Sequence, residues 1–62
     1  MNRDHLMKLD PIMLLSIVNM KLRDEYDSLS SFCDDLQLDC HEIETKLKEI
    51  GYTYYKELNQ FK

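Results

Sequence analysis

Cys33, Cys40 and His41 are the residues of this 62-residue chain best equipped for metal or redox chemistry. Zinc takes four ligands in a structural site, or three plus a water in a catalytic one. Cys40 and His41 are adjacent, so on a helix their side chains diverge by about 100°. Cys33 and Cys40 instead fall on apolar helix faces. This is the pattern of two small buried hydrophobes and a surface histidine, and it calls for no metal and no other cofactor. A Cys33–Cys40 disulfide is sterically allowed if both residues face one helix junction, but a reducing compartment opposes it.

The remaining chemistry-bearing groups do not assemble a catalytic pattern. Asp34, Asp35, Asp39 and Glu42 form an acidic cluster without the alternating oxygen ligands of a calcium loop, so a solvated face is expected. His5 falls on the end expected to be loose and His41 on the first turn of a helix, and no enzyme activity or small-molecule substrate is expected. Tyr52, Tyr54, Tyr55 and Phe61 could stack bases in the manner of single-strand binders. Such platforms line basic grooves, and only Lys56 and Lys62 stand nearby. The expected role is closure of the core by Tyr52 or Tyr54 with Phe61.

These groups must be positioned by a very small domain. A chain of about 60 residues buries only about 60% of the surface its unfolded form exposes, so a partner subunit is a reasonable expectation. Hydrophobic residues make up 44% of the sequence, which opposes disorder. The formal charge of −4 opposes nucleic acid or an anionic membrane as the main partner. The stretch of residues 12–18, apolar apart from Ser16, falls far short of the roughly 20 residues a bilayer requires, and no membrane association is expected. The first residues lack an apolar leader segment and cleavage site, so a cytoplasmic protein with reduced thiols is expected.

Punctuation defines three helices. Asp10 and Pro11 read as N-cap and first helical residue, opening a helix over about residues 11–26. Its face Leu14, Leu15, Val18, Leu22 and Tyr26 is the expected core side, with Ser16, Asn19 and Arg23 roughly opposite. Met13, Ile17 and Met20 make a second apolar strip, covered either by the terminal segments or by a partner protein, including a second copy. Ser28 caps a second helix, in which Leu29, Phe32, Cys33 and Leu36 recur at helical spacing up to about Gln37. Asp39 and Glu42 form a capping box for the third helix, with Leu38 and Ile43 as its hydrophobic staple. Cys40, Ile43, Leu47 and Ile50 continue that helix to Gly51, the expected C′ residue. Beyond it, Tyr52–Tyr55 suits an extended strand. Lys56–Asn59 suits a turn with Asn59 left-handed, before a short return at Gln60-Phe61. Asn59 and Gln60 are expected to hydrogen-bond the tail into place, against the Asp10-Pro11 helix start. Residues 1–9 are expected to be loosely ordered, and residues 10–62 to form one helical domain.

The second and third helices match a helix-turn-helix unit in size, with the C-terminal tail as a minimal wing. Gln37 stands where such a turn often has Gly, which predicts a wider turn. Charge divides unevenly: residues 1–27 carry −1, residues 28–50 carry −4 and residues 51–62 carry +1. The third helix would present His41, Glu42, Glu44, Thr45, Lys48 and Glu49, and three glutamates there would repel phosphates.

Several blocks in order resemble a known family. Asp10-Pro11-Ile12-Met13-Leu14-Leu15-Ser16, Lys21-Leu22-Arg23-Asp24 and the Ser28-Leu29 to Cys33 helix opening form the first part. Gly51-Tyr52-Thr53-Tyr54 and Glu57-Leu58-Asn59-Gln60-Phe61 complete it. Together, over about residues 9–62, they resemble a family of short bacterial proteins known only as a domain of unknown function with Asn-Gln-Phe near the C-terminus. The resemblance implies a bacterial cytoplasmic protein and an acidic residue at position 31, where this chain has Ser31. It supplies no activity. The expected protein is therefore a mainly α, three-helix domain with helix-turn-helix-like second and third helices and an extended or hairpin C-terminus. Its expected function is protein interaction or self-association, with DNA-binding regulation of the winged helix-turn-helix type as the alternative.

Overall fold

The computed structural model describes residues 3–62; Met1 and Asn2, part of the segment expected to be loose, lie outside the described residues. The chain is mainly helical and closes on a two-stranded hairpin. The elements are α1 (Arg3–Lys8), α2 (Pro11–Asp24), α3 (Leu29–Leu36), α4 (Cys40–Lys48), β1 (Tyr54–Tyr55) and β2 (Gln60–Phe61). The extra helix, α1, falls within residues 1–9, where the sequence has too few turns to show a period. It is held from outside: Leu6 is fully buried, and the Lys46 ammonium donates to the Met7 carbonyl at 2.6 Å. That donor satisfies a carbonyl which the end of a helix leaves unpaired.

Each longer helix starts on a side-chain cap. The Met13 N–H donates to Asp10 Oδ1 at 3.1 Å, with Pro11 in the first turn. The Ser31 N–H donates to Ser28 Oγ at 3.1 Å. Ser31 cannot supply a carboxylate at this position; its hydroxyl donates instead to Asp27 Oδ1 at 3.3 Å. At α4 the cap differs from the expected box. Asp39 Oδ1 accepts from the His41 N–H at 2.9 Å, while the Glu42 N–H bonds the Asp39 carbonyl at 3.1 Å. The Asp39 carboxylate is thus engaged one residue earlier, and Glu42 is left exposed to solvent.

Two helices end in the same device. After α4, Gly51 has φ +86°, its N–H donates to the Lys48 carbonyl, and the Tyr52 N–H donates to the Leu47 carbonyl. That pair of bonds is the Schellman motif. After α3, Gln37 takes the left-handed place with φ +56°, its N–H on Asp34 and the Leu38 N–H on Cys33 at 2.7 Å. The turn between α3 and α4 is therefore tight rather than widened: the backbone accepts a strained non-glycine residue and keeps both bonds.

The core joins Leu14, Val18 and Leu22 of α2 to Leu29, Phe32 and Cys33 of α3, Ile43 and Leu47 of α4, Leu6 of α1 and Phe61 of β2. Tyr54 lies 5.4 Å from Phe61 between ring centroids, so the hairpin contributes a tilted aromatic pair to the base of α2. The strands are antiparallel, with Tyr54 opposite Phe61 and Tyr55 opposite Gln60. Alternation along a strand then turns Tyr54 and Phe61 inward and Tyr55 and Gln60 outward. Among the described residues, no helix is long and apolar enough to cross a membrane.

Candidate interaction surface

The outer side of α2 places large apolar groups in water. Met13 is 52% exposed, Met20 is 44% exposed, and Ile17 between them is half-buried. Ile12, which the sequence pattern leaves out of the strip, is the most exposed at 61%. The strip is thus partly covered at Ile17 and open at both methionines. Methionine suits such a surface because its unbranched, polarisable side chain adapts to different neighbours.

The hairpin extends this side. Leu58 is 53% exposed and, together with Met20, lines a groove of about 520 Å³ with Ser16, Asn19, Arg23, Asn59 and Gln60. Leu58 is a residue that sequence reasoning missed. Its placement follows from the left-handed Asn59 (φ +51°), which reverses the chain immediately after it. The only signal for it in the sequence is an apolar residue beside a turn asparagine.

A polar network holds the groove wall in place. The two Nδ2 hydrogens of Asn59 donate to the Leu22 and Tyr26 carbonyls, both at 2.9 Å. Its Oδ1 accepts from the Tyr54 hydroxyl at 2.8 Å, and that hydroxyl accepts from the Leu29 N–H at 3.2 Å. One asparagine thereby ties the hairpin turn to the C-terminal end of α2 and, through Tyr54, to the start of α3. The expected anchor, the Asp10-Pro11 helix start, is at the opposite end of α2. The end carbonyls are the physical reason, since they lack helical donors whereas Asp10 already caps its own helix.

Asn19 provides the second clasp. Its Oδ1 accepts the Phe61 N–H at 2.8 Å and its Nδ2 donates to the Phe61 carbonyl at 3.0 Å. The side chain acts as a neighbouring strand would, pairing with both polar groups of Phe61 and leaving less of the β2 edge open. Sequence periodicity assigns Asn19 to the solvent side of α2, at the margin of the core face; its half-buried position is the consequence of β2 packing there. Gln60, by contrast, points outward into the groove rim. Among the candidate motif residues, Asp10, Pro11, Asp39 and Gly51 shape helix ends and Glu42 stands exposed, while Phe61 meets Asn19 and Asn59 meets Leu22, Tyr26 and Tyr54 at the hairpin.

The charges at this end of α2 are local and exposed. Arg23 and Asp24 form a side-chain pair, which holds Arg23 above and Asp24 below the ordinary ranges, the hydrogen bond between them being the main cause. Lys21 pairs with Glu25 one turn on. The Tyr26 hydroxyl donates to Asp35, and this bond raises the phenol above the ordinary tyrosine range. On the far side, all six residues expected to form the presented face of α4, His41, Glu42, Glu44, Thr45, Lys48 and Glu49, are exposed.

Among the described residues, no three His, Cys, Asp or Glu side chains converge closely enough to hold a metal ion. Neither a curated protein nor a solved structure matches the chain. A family model does match, over residues 8–61, and its span takes in α2 with its cap, both tight helix turns and the anchored hairpin. The chain belongs to the DUF4250 family, a domain of unknown function.

Proposed function

We propose that this chain is a non-catalytic interaction module of the bacterial cytoplasm that binds a protein, or a second copy of itself, through the outer face of α2 and the adjoining hairpin turn. The observation that carries this reading is the gathering of exposed Met13, Met20 and Leu58 on one side, with Met20 and Leu58 lining the same groove. Scattered single apolar residues are ordinary on a protein surface, whereas a grouped set rimmed by Asn19, Arg23 and Gln60 has the composition of a contact site. The bacterial and cytoplasmic parts of the proposal rest on the family resemblance. The exposed glutamates of α4 oppose the alternative of a DNA-binding regulator, because phosphate affinity comes from Lys and Arg.

The test is the solution mass of the chain, with a surface variant as control. Self-association predicts sedimentation near twice the 7.5 kDa chain mass at tens of micromolar. Met13→Lys with Met20→Lys should return the monomer without loss of helicity, since both side chains are exposed in the fold. A binder of another protein stays monomeric and captures a partner from bacterial extract that the double variant does not. A chain that stays monomeric and captures nothing selectively rejects the proposal. A shift of random duplex DNA at low salt would favour the alternative instead.

A further inference from the structure

We propose that Cys33 and Cys40, reduced under ordinary cytoplasmic conditions, form a reversible disulfide that staples α3 to α4 under oxidative stress, made by exchange with a small disulfide of the glutathione type. Cys33 stands on the buried side of α3, and Cys40 is the first residue of α4. The tight turn at Gln37 folds one helix end back onto the other. Cys40 Sγ donates to the Leu29 carbonyl at 3.8 Å. In an α-helix, the residue-29 carbonyl is the one that accepts the residue-33 amide. The Cys40 sulfur therefore lies against the turn of backbone that carries Cys33. Both cysteines are free thiols. Burial, and after it the neighbouring Cys40, pushes the Cys33 thiol well above its ordinary range.

The order of steps follows from access. Cys40 is half-buried and opens into a hollow of about 230 Å³ lined by Leu29, Glu44, Tyr54 and Lys56 among others, whereas Cys33 is 1% exposed. The Cys40 thiolate attacks one sulfur of the small disulfide, whose S–S bond breaks; one small thiol leaves and takes the proton. Cys33 then attacks Cys40 Sγ, the mixed disulfide breaks, and the second small thiol leaves with the Cys33 proton. The two protein thiols lose two electrons and the small disulfide gains them. The raised Cys33 thiol makes the second step the slow one, because the thiolate is the attacking species. Neither cysteine belongs to the outer face of α2, so this proposal is independent of the interaction reading.

The full chain is equilibrated with reduced and oxidised glutathione, in native buffer and in concentrated urea, and the products are trapped by alkylation and weighed. The expected product is a chain lacking two hydrogens, with no alkylation at Cys33 or Cys40. Its equilibrium constant should be roughly tenfold higher in buffer than in urea, because a fold that holds the thiols together is stabilised by the bond between them. A glutathione adduct persisting on Cys40, a disulfide between chains as the main product, or a constant no higher in buffer than in urea overturns the proposal.

Discussion

Replacing Asn59 by Asp changes one NH₂ group to an oxygen and almost nothing in shape, which makes it a direct probe of the hairpin anchor. Asp tolerates the left-handed backbone nearly as well as Asn, so the φ of +51° should survive. The substitution removes both donors, leaving the Leu22 and Tyr26 carbonyls without the bonds they now receive at 2.9 Å. Two such bonds contribute about 2 kcal/mol together. The new carboxylate also faces the negative end of α2, which costs about 0.3–1 kcal/mol more. The bond from the Tyr54 hydroxyl persists and strengthens toward a charged acceptor, offsetting part of the loss. The net expectation is a destabilisation of about 2 kcal/mol. At about 0.05–0.15 kcal/mol per residue, a domain of this size holds only about 3–9 kcal/mol in all. The unfolding midpoint should therefore fall by roughly 8–16 °C. The assay is thermal and urea unfolding followed by far-ultraviolet circular dichroism, with Asn59→Gly as the control that keeps the backbone and adds no charge. In acid the protonated carboxyl regains one donor, so the gap between the Asp variant and the parent should narrow. A variant within about 0.5 kcal/mol of the parent at neutral pH, the ordinary range of a surface substitution, would refute the claim that this asparagine anchors the hairpin.

Other substitutions test the neighbouring elements. Asn19→Ala removes both partners of Phe61 and should cost about 1–3 kcal/mol in urea unfolding, with the loss concentrated in amide protection of residues 54–61. Gln37→Gly relieves a left-handed non-glycine residue and should stabilise by about 0.5–1 kcal/mol, whereas Gly51→Ala should destabilise by about 1 kcal/mol. The second cost is purely conformational, because a Cβ at position 51 meets nothing within 4 Å. Leu6→Ala should cost about 2–3 kcal/mol if α1 is part of the core, and a near-neutral result would return residues 3–8 to the status of a loose end. The Tyr26 phenol is raised by its bond to Asp35, so its contribution is present at neutral pH and is lost as pH climbs through and beyond the ordinary tyrosine range. Parent and Tyr26→Phe unfolding curves should accordingly differ at neutral pH and converge in alkali.

How much of the fold was readable depended on whether a residue's role was local. Asp10, Ser28 and Asp39 act within one turn of their own position, and their residue types announce helix starts because short polar side chains meet unpaired N–H groups there. Gly51 and Asn59 announce left-handed backbone for the same local reason. Gln37 adopts that conformation without announcing it: the turn is held by the bonds of Leu38 and by packing on both sides, and side-chain type carries no trace of it. The short α1 was invisible because what orders it, the burial of Leu6 and the Lys46 bond to Met7, comes from the assembled core and from a residue 39 positions away.

The candidate surface shows the same division. Met13 and Met20 could be found because they break the periodicity of α2, and a broken period is a one-dimensional signal. Leu58 joins them only through the network of Asn59 and Asn19, two asparagines 40 positions apart that act chiefly on main-chain atoms. Main-chain partners are the same at every residue, so nothing in the identities of Leu22, Tyr26 or Phe61 points to them. A consequence follows for evolution of the surface. The anchor can persist while Met13, Met20 and Leu58 change, because the anchoring bonds run to carbonyls, amides and the Tyr54 hydroxyl and these three exposed side chains take no part in them. Substituting those three positions should therefore alter binding at nearly constant stability, whereas substituting Asn19 or Asn59 should lower stability and binding together. Measuring both quantities on both sets of variants separates a contact residue from the scaffold that presents it; a loss of stability at Met13, Met20 or Leu58 as large as that at Asn59 would show that the two roles are not separable in this fold.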